Sequence, residues 1–260
     1  MMANFKFIVA GAGAASVAGA ALLTQTLRDE SAPGDARGAD GYEVCLKSDL
    51  IFFEGVSAKC YAQADLVALQ AKPVLGGDGA PVGLTMTHPN DVSIAPAEVR
   101  SCADYRNMTS EGWYAATSSE MRREGFFVRA CETLAALAEA QAPERSFFGG
   151  GSPNEKEVAA MSASFRFGET AIAPETVRVE QGGTYEWRIA AGPQTLTVQE
   201  LANADFDNDG IEEILAFAAG APAGGSAAYY VTGLIEKDAD DAAVAFTALN
   251  LAPRRSGAGG

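Results

Sequence analysis

At Gly149-Gly150-Gly151 the chain changes its hydrophobic rhythm, and that change limits the folds open to it. Three successive glycines hold no regular structure without a large entropic loss. Before them, the clearest pattern runs from 118 to about 142, where Phe127, Cys131, Leu134 and Ala138 recur at helical spacing. Thr117 and Glu120 form a capping-box pair at its start, and Pro143 follows its end. After Met161, apolar residues come in short runs at 164–167, 177–180, 185–189, 195–201, 211–217, 227–235 and 243–249. Gly182-Gly183, Gly192-Pro193 and Gly224-Gly225 punctuate them. The expected class is therefore α+β, a mixed α/β segment with one long helix followed by an antiparallel β-sheet or small sandwich.

The first segment spans 43–148 and the second 152–252. In the first, 44–53 reads as a strand. At 57–71, Cys60, Ala64, Val67 and Ala71 share one helical face that ends before Pro73. Residues 74–96 read as loop, and Trp113-Tyr114 as a short strand. Ser152 and Pro153 look like the cap and first residue of a helix that restarts the chain after the glycines.

Residues 1–23 have the pattern of an export signal: Lys6, an uncharged stretch from Phe7 to Leu23, and Ala18-Gly19-Ala20 as a small-x-small cleavage site. A retained membrane anchor is the alternative, at the short edge of a spanning length. Residues 24–42 read as a flexible spacer and 253–260 as a disordered tail. The expected location is the periplasm or the extracellular space. Cys45, Cys60, Cys102 and Cys131 are an even set outside CxxC spacing, which in an exported chain favours disulfides. Three connectivities are open; Cys45 with Cys60 and Cys102 with Cys131 close the shortest loops. A formal charge of −15 excludes nucleic acid as a partner and disfavours an anionic membrane surface.

The sharpest chemical signal is Asp205-Phe-Asp207-Asn-Asp209-Gly210-Ile211-Glu212-Glu213. Alternate carboxylates followed by glycine let a chain curl around a calcium ion, which takes six to eight oxygens. Asp205, Asp207 and Asp209 supply positions 1, 3 and 5, and the Ile211 carbonyl position 7. An EF-hand would close its shell at position 12, but that residue is Ala216. The run instead resembles the shorter DxDxDGxx[DE] loops of FG-GAP, VCBS-like and thrombospondin-type repeats. That resemblance covers about a dozen residues in a single copy, and it implies that Glu213 closes the shell. In FG-GAP and VCBS-like proteins the loop leads into an apolar strand, and Ile214-Leu215-Ala216-Phe217 fits that arrangement. Metal ligands are thus expected at Asp205, Asp207, Asp209, Ile211 and Glu213, with Ca²⁺ as the ion, pinning the turn between two strands.

No nucleophile elbow, zincin helix, phosphate loop or dinucleotide fingerprint occurs. His88 is the single histidine, in the turn-like Thr87-His88-Pro89-Asn90-Asp91. Glu120 and Glu124, one helical turn apart and near Trp113 and Tyr114, are the one acid pair suited to glycosidase-like chemistry. Two functions follow as expectations. One is a calcium-stabilised structural module, or one that binds a protein or glycan of the envelope. The other is a small exported hydrolase using Glu120 and Glu124.

Overall fold

The computed structural model describes residues 42–90, 93–167, 170–171, 177–191, 194–222 and 229–249. The expected export signal, the spacer up to residue 41 and the tail lie outside the described residues. Among those described, no helix is long and apolar enough to cross a membrane.

The first segment opens with β1 (Glu43–Cys45) paired antiparallel to β2 (Cys60–Ala62), which places Cys45 opposite Cys60 in a disulfide. The strand expected over 44–53 stops at Cys45. Lys47, Ser48 and Asp49 interrupt its apolar run, so the chain turns instead and buries Leu50, Phe52 and Phe53 through local bonds such as Phe53 N–H to Leu50 O at 3.0 Å. The helix expected over 57–71 is also shorter. Cys60 is committed to β2, so α1 covers Gln63–Ala68 before a 3₁₀ turn at Leu69–Ala71. Its buried residue is Leu66, whereas Ala64, Val67 and Ala71 are exposed.

The 74–96 stretch is mostly loop but contains β3 (Leu84–Met86), which pairs with β4 (Ala97–Val99). Helix α2 (Cys102–Ser110) has no apolar stripe that marks it in sequence; Ser101 caps it by accepting the Asp104 N–H. The long helix α3 (Ser118–Glu139) appears where expected, with Phe127, Cys131 and Leu134 buried. Cys131 bonds to Cys102 and so ties α3 to α2. Only half of the capping box forms: Thr117 accepts the Glu120 N–H, while the Glu120 carboxylate turns to the Thr85 N–H at 2.9 Å. Trp113-Tyr114 gives a single bridge, Tyr114 opposite Thr87, and no strand.

Past the glycines, α4 (Glu155–Met161) is capped by Asn154, with Glu157 completing the box. Ser152 is not the cap because its hydroxyl is donated to Glu200 at 2.7 Å. A two-residue ribbon follows, β5 (Arg166–Phe167) with β6 (Thr170–Ala171). The remaining strands form one six-stranded antiparallel sheet in plain chain order: β7 (Val177–Gly183), β8 (Glu186–Ala191), β9 (Gln194–Ala204), β10 (Glu213–Pro222), β11 (Tyr229–Glu236) and β12 (Ala245–Ala248). Each strand is joined to the next as a hairpin, so only local pairing is needed to set the register.

Helices and loops cover both faces of this sheet. Along β10, Ile214, Ala216 and Ala218 enter one core with Val158 and Met161 of α4, while Leu215 and Phe217 face the other with Leu134 and Leu137 of α3. Strand β9 switches faces part-way. Opposite Leu215 and Ala216, the partners are Ala202 and Glu200, so Leu201 bulges out of the ladder. One extra residue inverts the alternation. Leu196 and Val198 therefore face the α4 core, and Ala202 and Ala204 the α3 core.

That bulge receives the first segment. The Lys47 N–H donates to the Leu201 carbonyl at 2.7 Å, and Lys47 Nζ reaches the Glu200 carboxylate at 2.6 Å. Glu200 is fully buried and also accepts from Ser152 Oγ and Trp187 Nε1. The described residues on either side of Gly149–Gly151 thus share one core.

Candidate metal centre

The acidic run is the turn between β9 and β10. It begins and ends on the ladder, since Ala204 pairs with Glu213. Asp205 organises the turn: its two carboxylate oxygens accept the N–H groups of Asn208 at 2.7 Å and Gly210 at 3.0 Å. This wrapping needs left-handed backbone at Asn208 (φ 68°) and Gly210 (φ 85°), a conformation that Asn tolerates and Gly adopts freely. Asp207 accepts the Asp209 N–H, and Asp209 accepts the Ile211 N–H. Glu213 accepts the Phe206 N–H at 2.7 Å.

The result is a convergence of charge. One carboxylate oxygen from each of Asp205, Asp207, Asp209 and Glu213 lies within 4.8 Å of the others. Asp205 and Glu213 are 4% exposed, while Asp207 and Asp209 face solvent. Among the described residues, no lysine or arginine forms an ion pair with any of the four. Burial, reinforced by the neighbouring Asp207, Asp205 and Asp209, pushes the Glu213 carboxyl up to about 8. Burial and Asp209 also raise Asp207. Four oxygen donors with neither sulfur nor imidazole among them suit a hard divalent cation.

The loop is also held from outside. Gln141 and Asp205 exchange both backbone bonds, at 2.8 and 3.0 Å, and Gly210 O accepts from the N–H groups of Glu144 and Arg145. Glu212 N–H donates to Arg145 O, and Ile211 bridges Arg145 in parallel. The chain leaving α3 is therefore laced to the acidic turn. Nothing local in the sequence marks 141–145 for this role, because it depends on where α3 ends relative to the sheet. Glu236 and Asp238, at the end of β11, add to the negative field; burial raises Glu236 first, with Asp238, Asp207 and Asp209 contributing. Ala216, which an EF-hand would need as a carboxylate, is buried on β10 and faces the α4 core.

No family model, curated protein or solved structure matches this chain. What the site can do rests on its own geometry.

The other residues singled out in the sequence are engaged elsewhere. Glu120 is held by the Thr85 N–H and by Arg123 at 3.0 Å, and Glu124 accepts the Tyr105 hydroxyl at 3.1 Å. Burial and Glu124 together raise the Tyr105 phenol well above its ordinary value. Two open depressions indent the surface near Gly76 and Gly77; neither Glu120, Glu124, Trp113 nor Tyr114 lines them. His88 packs edge-on against Trp113 with ring centroids 5.2 Å apart. Asp91 lies outside the described residues.

Proposed function

We propose that this is an exported protein whose fold is stabilised by one calcium ion, and that it serves as a structural or partner-binding module of the envelope or extracellular space. One observation carries the reading: four converging carboxylates, two of them buried, with no lysine or arginine among the described residues paired to them. Unfilled, they repel one another; a divalent ion turns that cost into a clamp on the turn between β9 and β10. Asp205, Asp207, Asp209 and Glu213 would supply carboxylate ligands and Ile211 its carbonyl, in the pattern of the short loops the sequence resembles. Two disulfides imply an oxidising environment, in keeping with the signal-like residues 1–23. In such compartments calcium is abundant, so an affinity of about 10⁻⁴ to 10⁻³ M keeps the site filled and makes the ion structural rather than a signal.

The test is thermal unfolding of the oxidised protein in millimolar calcium, in magnesium and in EGTA. Calcium should raise Tm, because it binds only the folded loop. Magnesium should raise it less, since it demands stricter octahedral geometry. Equal Tm values in calcium and EGTA would remove the calcium reading.

A further inference from the structure

A second unbalanced charge lies on α3, among the aromatic residues of the other face of the sheet. Arg129 is 9% exposed, yet its guanidinium carbon sits among four rings: 4.5 Å from the centroid of Tyr230, 4.8 Å from Phe126, 5.7 Å from Phe217 and 5.9 Å from Phe52. Its Nε is buried with no hydrogen-bond partner. Among the described residues, no carboxylate forms an ion pair with it. The other two buried or nearly buried cations are treated differently: Lys47 reaches Glu200, and Lys237 reaches Glu157 at 2.7 Å. Among the described residues, Arg129 is thus a buried cation for which the fold supplies rings and no acid.

Ring faces attract the cation and offset part of its desolvation, but they do not satisfy a planar fork of N–H donors. The group that does is a planar oxyanion, which guanidinium grips through two parallel bonds. Burial lowers the Arg129 pKa from its usual value, yet arginine stays protonated in proteins, so the charge remains to be met. Of the four rings, Tyr230 is the exposed one, at 49%, so the cluster reaches the surface on that side.

We propose that Arg129 with Phe126, Phe217 and Tyr230 forms a binding site for a carboxylate that carries an apolar or aromatic group. The carboxylate pairs with the guanidinium, and the apolar group lies along the rings. Such a carboxylate is presented by a small organic acid or by the C-terminal residue of a peptide. The inference does not depend on the metal.

The experiment titrates the oxidised, calcium-saturated protein by calorimetry with benzoate and with an acetylated peptide ending in phenylalanine. Benzamide and the amidated peptide serve as controls. Saturable binding of benzoate alone identifies a small acid, and binding of both extends the site to peptide termini; the amides should not bind. Arg129→Met keeps the apolar stem and should abolish binding while circular dichroism stays unchanged. Arg129→Lys keeps the charge without the fork and should weaken binding about tenfold or more, and it replaces the Met variant should that fail to fold. Failure of both carboxylates to bind, or equal binding by wild type and the Arg129 variants, overturns the proposal.

Discussion

Two buried glutamates on adjacent strands show opposite solutions to the same problem. Glu200 on β9 is fully buried but surrounded by donors from three parts of the chain, Lys47, Ser152 and Trp187. Glu213 on β10 is almost as buried, yet it has one backbone donor and three aspartates for neighbours. The fold neutralises the first internally, and among the described residues it gives the second no cation. Burial of a carboxylate therefore says little by itself; the sign of its surroundings separates a structural pin from a ligand.

The sharpest way to break this contrast is Lys47→Met, which strips Glu200 of its cation and leaves the charge buried. A loss of about 3–5 kcal/mol is expected, read by urea unfolding, because an orphaned buried ion costs far more than an intact pair contributes. If stability is unchanged, Glu200 is not held as an ion and the contrast collapses. Next is the metal loop, where calcium at about a hundred times its Kd should stabilise by about 2.7 kcal/mol. Asp207→Ala should erase the Tm difference between calcium and EGTA. In EGTA it should leave Tm unchanged or raised, since it relieves repulsion.

The pH profile gives a third test. With calcium chelated, Glu213 titrates near 8 in the folded state against an ordinary value of 4.5. The folded state thus keeps a proton that the unfolded chain releases. Its stabilising contribution is complete below about pH 4.5 and is lost as pH rises through about 8. Asp207 and Glu236 shift in the same direction. Tm measured in EGTA should fall between pH 5 and 9, and calcium, by taking the place of the proton, should flatten that fall. The smallest effect is expected from Gly210→Ala. A new Cβ would meet Glu144 at an ordinary 3.5 Å, so the cost of about 1–2 kcal/mol is that of a left-handed alanine. Chemical denaturation of the variant measures it.

The parts of the molecule that were legible in sequence are those set by neighbours along the chain. Alternating apolar runs after Met161 became the hairpins of one sheet, and the stripe Phe127, Cys131, Leu134 became the buried side of α3. The carboxylates of the acidic loop converge because they lie within nine residues of one another. Elsewhere, distant partners overrode local signals. Ser152 resembles a helix cap until Glu200 claims its hydroxyl, and Cys60 fits a helical face until Cys45 draws it into a strand. Leu201 cannot be recognised as a bulge from its own sequence, because the bulge exists in relation to Lys47 and to β10. Arg129 was invisible for the same reason, as its four rings come from a loop, from α3, from β10 and from β11.

The seam at that bulge also sets an order of events. Lys47 and Glu200 are 153 residues apart, so the first segment leaves the ribosome long before the strand that completes its core. Contacts that distant must wait for a large loop to close, which slows folding. Until β9 and β10 exist, Phe52, Leu134 and Leu137 have no sheet to cover them. The first segment thus cannot complete its core by itself, and the later hairpins supply the face that closes it.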